Sequence, residues 1–496
     1  MRVATFVMLA AFWAAGASPR PAGAQAPPPT STTATAASTR AASTISAADV
    51  QRRIGIIADD SMAGRDTPSP GLESTARYVA GEFARLGLRP GGDSGSFLQR
   101  YAITERRLRP DSSRVVFSGG GRRATAEFTA SARYLFGPVP GGALHGRALV
   151  VSPSITAEQA RRLDVRDRVV LVRAGTGPRG SGLAERIVRS VAARLPIAVI
   201  LLADDDSATF AARLPRRSAM RTVIGDPPGP VALEVRTGAV AAVLDARDVR
   251  VRVEMRDDTV RTRSAPNAVG ILRGSDPRLR NEYVIFSAHM DHIGITPGAP
   301  DSINNGADDD ASGTTGVLEL AEAFSRPGAR PKRSLIFLTV SGEEQGLWGS
   351  RHFTDHPPVP IRQIVADLNM DMIGRNWTDT IVAIGREHAD LGATLAQVNA
   401  AHPELRMTAI GDRWPEERFY FRSDHYNFAR LGVPVLFFFN GVHPDYHQVT
   451  DSPDKIDAEK ESRVVRLVYW LGQAVGNAPR RPQWNPESYK EIVDGS

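Results

Sequence analysis

The second half of this chain predicts an α/β fold: a mostly parallel mixed sheet with helices on both faces. Four segments have the nearly all-apolar composition of buried strands, at residues 283–287, 334–340, 364–370 and 433–439. Three further segments have the apolar spacing of helices, at residues 313–324, 423–431 and 458–475. Such an alternation is typical of a parallel sheet covered on both faces, where ligands bind at the carboxyl ends of the strands.

The N-terminal region divides into three parts by composition. Residues 1–24 have the pattern of a secretory signal, with Arg2 before an apolar run and Ala22-Gly23-Ala24 as a small-residue cleavage site. Residues 25–45 are rich in Pro, Ala, Ser and Thr, so we expect a disordered linker. Residues 46–107 are predicted to begin with two helices, one capped by Ser46 and one ending before Gly87.

The middle of the chain has a different texture. In residues 108–263, short β-branched runs alternate with turns that contain Gly and Pro, and His145 is the only histidine. We interpret this segment as a β-rich inserted domain. Residues 264–480 then complete the domain that carries the chemistry, and residues 481–496 form a C-terminal tail.

Composition excludes several classes of function. The 496 residues carry a net charge of +6, but the arginines are scattered among acids, so no nucleic-acid surface is expected. The chain has no cysteine, which excludes disulfides and a lipoprotein anchor, and no apolar run long enough to span a membrane. We expect a soluble protein, secreted or periplasmic after cleavage near Ala24. The oligomeric state has no signal in the sequence.

Histidines and carboxylates with the composition of a metal site occur in five short stretches, at residues 287–291, 306–310, 341–344, 369–372 and 446–447. A hydrolytic site with two zinc ions needs neutral imidazoles, several carboxylates and one unligated carboxylate near the metals. Each stretch alone is also compatible with an ordinary surface loop. Together they predict a metallohydrolase.

The neighbours of these side chains indicate what each could do. His289 and Asp291 form a His-x-Asp pair after a strand, so the carboxylate can accept the second ring N–H of the imidazole. Of the adjacent Glu343 and Glu344, one can bind metal while the other accepts a proton from water. Asp371 lies between two methionines, where an acid without a partner is costly.

In their order and spacing, these motifs resemble the zinc aminopeptidase family that also contains glutamate carboxypeptidase II, transferrin receptors and glutaminyl cyclases. The resemblance covers the two N-terminal helices and residues 267–475, and it implies a phosphorylase/hydrolase-like fold with two Zn²⁺ per chain. It implies the following roles: His289 and Asp371 on one zinc, Glu344 and His447 on the other, Asp309 as the bridge, Glu343 as the general base and Asp291 as the partner of His289. It also implies a cis peptide between Asp309 and Asp310. The inserted segment resembles a protease-associated domain.

The block from Arg422 to Tyr426 resembles a part of the family that lies near the substrate pocket. We therefore predict that Arg422 and His425 contact substrate, and that Tyr446 is a candidate for stabilising the oxyanion. Ser423, Asp424 and His425 are consecutive, so their side chains diverge and cannot form a serine-protease triad.

The sequence thus predicts an exported zinc exopeptidase that removes N-terminal residues from peptides, with Glu343 accepting the proton of the attacking water. A carboxypeptidase of the same family is an alternative, since Arg375 or Arg422 could bind a terminal carboxylate. A glutaminyl cyclase, expected to work with one zinc, and a receptor-like protein without activity, expected to lack ligands, are further alternatives.

Overall fold

The computed structural model describes residues 35–137, 142–152, 155, 159, 162–173, 187–188, 191–192, 196–212, 219–223, 230–296, 298 and 301–495. The predicted signal and residues 25–34 of the predicted linker lie outside these residues. Within the described part of the chain, no helix combines the length and the apolar character that crossing a bilayer requires.

The helices and strands of the described residues are numbered here in chain order. The α-helices are α1 Ala36–Ala42, α2 Ala47–Ile57, α3 Pro70–Arg85, α4 Ser207–Ala212, α5 Thr237–Leu244, α6 Gly313–Ser325, α7 Trp348–Asp355, α8 Leu391–Ala401, α9 His425–Ala429, α10 Ala458–Asn477 and α11 Pro486–Ile492. The strands are β1 Arg89–Pro90, β2 Leu98–Leu108, β3 Arg114–Gly119, β4 Arg122–Glu127, β5 Ala132–Phe136, β6 Leu144–Val151, β7 Arg168–Arg173, β8 Ala198–Ala203, β9 Ala219–Val223, β10 Val231–Arg236, β11 Arg250–Glu254, β12 Asp257–Leu272, β13 Tyr283–His289, β14 Ser334–Val340, β15 Ile364–Met370, β16 Thr380–Ile384, β17 Thr408–Ile410 and β18 Val435–Phe438.

The larger sheet has the strand order β17-β16-β18-β15-β13-β14-β12-β2-β9, with β1 paired to β12. Its centre is parallel, because β18, β15, β13 and β14 run in one direction. On one side β12, β2 and β9 are antiparallel to their neighbours, and on the other side β16 is antiparallel to β18. The prediction of an α/β fold with a mixed sheet is confirmed, but parallel pairing among the described strands of this sheet is limited to the four central strands and the β16–β17 pair.

Both faces of this sheet are covered. Along β13, Val284 and Phe286 pack into a core with helices α2, α3, α6 and α10, whereas Ile285 packs into a second core with α7 and α9. This alternation follows from the two-residue repeat of a strand, which directs successive side chains to opposite faces. The wholly apolar composition of the central strands is therefore explained by burial on both sides.

Two predicted boundaries are wrong. The disordered linker was expected to reach residue 45, but α1 occupies its end, and Ala41, Ala42 and Ile45 are buried in the main core. The predicted tail likewise contains α11, whose Ile492 is buried against the sheet. In both places a few apolar residues contact a distant core, and local composition carries no signal of that contact.

The inserted domain is formed by a second sheet between Arg114 and Glu254, with the order β4-β3-β11-β6-β7-β8-β10-β5. It is not purely β, because it contains the helices α4 and α5. Four of its strands, β6, β7, β8 and β10, run parallel to one another. Strand β2 pairs along its whole length with residues 257–268 of β12, and these two strands connect the inserted domain to the larger sheet. Strand β12 begins at Asp257, so the predicted boundary at residue 263 falls inside a strand.

Candidate metal centre

The carboxyl ends of four neighbouring strands bring the predicted metal-binding residues together. His289 is the last residue of β13, Glu343 and Glu344 follow β14, and Asp371 directly follows β15. His447 comes from the loop after β18. Because these strands are parallel neighbours, residues from distant parts of the chain meet at one edge of the sheet.

A single wide helical turn, Ala307–Ser312, supplies the central carboxylate. Asp309 lies on this turn, and the peptide that joins it to Asp310 is cis, as the family resemblance implied. Asp310 does not face the metal-binding groups: its carboxylate accepts hydrogen bonds from the backbone N–H of His289 (3.1 Å) and of Gly313 (2.8 Å). The Asp451 carboxylate accepts the N–H of Asp309 at 3.1 Å. Neighbouring acids thus hold Asp309 in place.

The two oxygens of Asp309 face two different groups of side chains. Its Oδ1 is 3.3 Å from His289 Nε2, which is 3.6 Å from Asp371 Oδ1. Its Oδ2 is 3.2 Å from His447 Nε2, which is 3.1 Å from Glu344 Oε2. Asp309 therefore has the geometry of a bridge between two cation sites.

His292 joins the second group, and the sequence analysis missed it. Its ring is fully buried, and its Nδ1 is 2.9 Å from Glu344 Oε1 and 3.6 Å from Asp309 Oδ2. The spacing His289-Met290-Asp291-His292 was the available signal, because a second histidine three residues after a candidate ligand is itself a candidate. Sequence alone did not specify whether the backbone turns this side chain toward the site.

The unsatisfied atoms of the site fit a bound cation. Among the described residues, three buried atoms of the site have no hydrogen-bond partner: His292 Nδ1, Glu344 Oε1 and His447 Nε2. His292 Nδ1 is nevertheless 2.9 Å from Glu344 Oε1, and His447 Nε2 is 3.1 Å from Glu344 Oε2. They are close but not aligned for hydrogen bonds. Buried polar atoms are rarely left without a partner, and imidazole nitrogens with carboxylate oxygens are the ligands that zinc prefers. The donor set therefore fits zinc.

The charges of the site also favour a bound cation. Burial opposes a charge on His289, but the carboxylates of Asp371 and Asp310 raise its pKa well above the usual value. Burial likewise opposes a charge on His447, and Asp309 and Glu344 raise its pKa to about 10. Both shifts reflect an excess of carboxylates, which a divalent cation would neutralise.

Glu343 differs from the other carboxylates of the centre. It lines the pocket beside His289 and Asp371, and neither metal-ligand group of the described residues includes it. Burial raises its pKa well above the usual value, and the negative charges of Glu344 and Asp424 act in the same direction. Its backbone N–H is 3.3 Å from Asp291 Oδ1. Glu343 is thus positioned near both metal-binding groups without joining either.

Asp291 has more contacts than the sequence predicted. Its backbone carbonyl is 3.2 Å from His289 Nδ1 and can accept the ring N–H, while its Oδ1 lies farther from that nitrogen, at 3.6 Å. Its Oδ2 accepts a hydrogen bond of 3.0 Å from the Thr67 hydroxyl, which in turn accepts the N–H of Gly342 at 3.0 Å. Asp291 therefore links the loop after β13 to the loop that carries Glu343.

Arg65 and Ser423 support the centre and were not singled out from the sequence. Arg65 is fully buried, and its guanidinium donates hydrogen bonds to the carbonyls of Met290, Asn305 and Gly306. It thereby joins the His289 loop to the Asp309 turn. The Ser423 hydroxyl donates a hydrogen bond of 2.9 Å to Asp371 Oδ2. Neither contact has a local motif, because both form across long sequence distances.

A pocket of about 400 Å³ opens onto the centre. Carboxylates form its floor, and its walls are mostly apolar, formed by Met372, Phe419, Phe437, Phe439 and Val442. Tyr446 also lines it and stacks on His447, with ring centroids 3.9 Å apart. Arg422 reaches the same pocket, with its guanidinium 4.7 Å from the Phe419 ring and 3.4 Å from Glu417.

His425 and Arg375 are not where their predicted roles require them. His425 is fully buried against Phe437, at a ring distance of 4.4 Å, and burial lowers its pKa to about 3. The prediction that it contacts substrate is corrected, because Phe437 and not His425 lines the pocket. Arg375 lies outside the pocket lining and pairs with Asp445 at 3.0 Å.

Comparison with known proteins identifies this region. Residues 267–471 match the model of Peptidase family M28. The matched region, residues 267–471, is called the M28 domain below. This M28 domain is similar to aminopeptidase YwaD from Bacillus subtilis (strain 168), with 25% identity over 221 residues, which are 41% of this chain and 43% of YwaD. The chain spans about half the length of the curated relatives it matches.

Solved structures extend the likeness beyond the M28 domain. The aminopeptidase from Aneurinibacillus sp. strain AM-1 superimposes with a TM-score of 0.55 at 20% identity, covering 90% of this chain and 97% of that one. A zinc aminopeptidase from Bacillus subtilis superimposes with a TM-score of 0.50 at 18% identity, covering 88% and 97%. At these identities the likeness establishes a common fold, which includes the inserted domain as well as the M28 domain.

Proposed function

We propose that this chain is a zinc-dependent aminopeptidase with two zinc ions per chain. The observation that carries the proposal is the position of Asp309, whose two oxygens face His289 with Asp371 on one side and His447 with Glu344 on the other. Membership of peptidase family M28 supports it, as do the relatives named aminopeptidases. We also propose the individual roles of these ligands, with Glu343 as the general base.

When bound, zinc would polarise the scissile carbonyl and lower the pKa of water near it. Glu343 would accept the proton of the attacking water and then return it to the leaving amine. Glu343 lines the pocket and belongs to neither metal-ligand group of the described residues, so its carboxylate is available for this exchange. Tyr446 lines the same pocket and is our candidate donor to the oxyanion.

The charge of the pocket favours an amino terminus over a carboxyl terminus. Glu343, Glu344, Asp309 and Asp371 all line it, and they would attract the ammonium group of a substrate. The apolar walls would then accept a large apolar first side chain. The second candidate function is a carboxypeptidase. Arg422 favours it, because this residue is the arginine among the described pocket-lining residues and could bind a terminal carboxylate.

Paired peptides would test the proposal. We expect zinc-dependent, stepwise release of residues from a peptide that begins with leucine, no release from its N-acetylated twin, and no release after chelation. Slower cleavage of a peptide that begins with aspartate is expected, since its carboxylate meets the acidic floor. Release of residues from the carboxyl end of both peptides would instead establish the carboxypeptidase.

We also propose that the inserted domain is a protease-associated domain that fixes one side of the active site. Arg221 on β9 donates a hydrogen bond to the Thr67 carbonyl at 2.8 Å and pairs with Asp66 at 2.7 Å. Thr67 in turn contacts Asp291 and Gly342. These contacts support the proposal, because β9 belongs to the inserted segment of the sequence, although it pairs with β2 in the larger sheet.

Export remains a prediction from residues 1–24. If the chain is exported, the mature protein recovered from the periplasm or medium should begin at or near Gln25. Intact-mass spectrometry of the recovered protein would measure this. An N-terminus at Met1 in material recovered from outside the cytoplasm would contradict the predicted cleavage.

A further inference from the structure

His292 is buried beside the proposed zinc site and has no role in the functions described above. It is fully buried, and among the described residues neither of its ring nitrogens has a hydrogen-bond partner. A structural histidine of the core usually satisfies at least one nitrogen with a hydrogen bond. In the described part of the chain His425 also lacks partners but stacks on Phe437, whereas His292 Nδ1 faces two carboxylates, so packing alone does not explain the position of His292.

The Nδ1 atom of His292 faces the same carboxylates as His447. It is 2.9 Å from Glu344 Oε1 and 3.6 Å from Asp309 Oδ2, while His447 Nε2 is 3.1 and 3.2 Å from the oxygens of the same two residues. The four ligand atoms all lie within 4.8 Å of one another. Ligands about 2.0–2.1 Å from a tetrahedral zinc ion are separated by about 3.3 Å. The observed separations of 2.9–3.6 Å are close to this value, with Glu344 facing His292 through Oε1 and His447 through Oε2.

The backbone around His292 leaves space for its ring. Gly306 approaches so closely that a Cβ there would lie 2.5 Å from His292 Cγ, and its φ of +57° is in the left-handed region. Arg65 fixes this approach, because it donates hydrogen bonds both to the Gly306 carbonyl and to the Met290 carbonyl. The ring is thus held between the His289 loop and the turn that carries Asp309.

We propose that His292 is a direct zinc ligand, through Nδ1, of the ion held by Glu344 and His447. This inference rests on the zinc site of the proposed function. That ion would have four protein ligands, including Asp309, whereas the ion at His289 and Asp371 would have three. Zinc sites with four protein ligands are typically structural, and catalytic sites keep one position open. The geometry therefore assigns tighter metal binding to the His292 side and the open position to the His289 side.

Zinc-loaded crystals of the mature wild-type chain would test the proposal without a variant. Anomalous scattering at the zinc edge should place one ion about 2.0–2.1 Å from His292 Nδ1. Two ions in the centre with His292 Nδ1 farther than about 3 Å from both, at hydrogen-bond distance from Glu344, would overturn it. In that case the proposed aminopeptidase would still stand.

Zinc affinity measured by competition with a chelator would test the same proposal in solution. His292→Gln should lower the affinity for one of the two zinc ions by more than about 100-fold. Substituting a residue that only orients a ligand typically lowers metal affinity by about 10- to 100-fold. The matched control is His443→Gln, because His443 is also buried and faces a carboxylate, Asp308 at 3.1 Å, but lies outside the zinc groups. We expect its zinc affinity to change by less than about tenfold.

The outcomes separate this inference from the proposed function. Equal zinc affinities for the wild type and a folded His292→Gln variant would overturn the inference. Should that variant not fold, the wild-type crystals decide. Zinc bound through His292 in a chain that cleaves neither test peptide would refute the aminopeptidase and retain the ligand assignment. A wild-type chain that binds no zinc would overturn both.

Discussion

At the residue scale, carboxylates in this chain differ in role because they differ in their contacts. Asp310 and Asp451 accept hydrogen bonds from backbone N–H groups and position the turn at Asp309. Asp309 and Glu344 instead face imidazole nitrogens that have no hydrogen bonds. Glu343 belongs to neither set. These contacts, and not the residue type, distinguish Glu343, the proposed base, from the other acids of the site.

Glu343→Gln should separate catalysis from metal binding. The amide is nearly isosteric but cannot accept the proton, so we expect kcat to fall by about 10²–10⁴-fold. The zinc content should remain that of the wild type, because Glu343 is outside both groups of ligands. Elemental analysis and peptide cleavage would be measured on the same preparation. Near wild-type turnover, with zinc bound, would contradict the assignment of Glu343 as the base.

Asp367→Asn should change how stability depends on pH. Asp367 is fully buried in β15, and burial raises its pKa to about 8, although a hydrogen bond from Ser287 opposes the shift. The folded state therefore holds a proton that the unfolded chain releases near its ordinary pKa of 3.8. This contribution to stability is complete below pH 3.8 and is lost as the pH rises toward 8.

The asparagine variant has no such proton to lose. Relative to the wild type, it should gain stability as the pH rises between these values, by up to about 1.4 kcal/mol per pH unit. Urea unfolding of both proteins from pH 5 to pH 8.5 would measure the difference. A constant difference across this range would show that Asp367 is ionised in the folded protein.

At the scale of elements, one arginine joins three helices that cover the sheet. Arg53 on α2 is fully buried and makes ion pairs with Glu82 on α3 and with Glu319 and Glu322 on α6, at 2.6, 2.7 and 2.8 Å. The adjacent Arg52 is half exposed and, among the described residues, pairs only with Asp49 on its own helix, at 3.2 Å. The two residues provide a comparison within one helix.

Arg53→Met should destabilise the protein by about 3–5 kcal/mol, because it leaves the buried carboxylate of Glu319 without its partner, whereas Glu82 and Glu322 still pair with Arg85. Arg52→Met should change the free energy of unfolding by less than about 0.5 kcal/mol, since an exposed ion pair contributes little. Denaturant titration of both variants would measure the contrast. Equal and small effects would mean that the three glutamates are protonated or solvated without Arg53.

At the scale of the whole molecule, two sheets with separate cores share one chain. The core of the inserted domain lies between Leu108 and Met255, and the metal centre lies wholly on the larger sheet. A ligand that binds only the folded state stabilises the unit that holds it, by about 4 kcal/mol at a thousand times its Kd. Zinc should therefore stabilise one domain more than the other.

Calorimetry with zinc and with chelator should detect this asymmetry. We expect two unfolding transitions, of which chelation lowers the Tm of one and leaves the other nearly unchanged. Intrinsic fluorescence identifies the metal-dependent transition, because all tryptophans from Trp348 to Trp484 lie outside the inserted domain. A single transition that shifts as a whole would show that the strands β2 and β12 couple the two domains into one cooperative unit.

Sequence by itself determined the fold class and indicated most of the proposed metal-binding residues. Apolar strands such as β14 are periodic and local, and Glu343 and Glu344 mark the end of that strand in the sequence itself. The tertiary structure alone decided which side chains turn inward. His292 enters the centre and His425 does not, because Gly306 leaves space for the first ring whereas Phe437 lies against the second. The same holds for Arg65, α1 and α11, whose contacts join residues far apart in the chain and have no local signal.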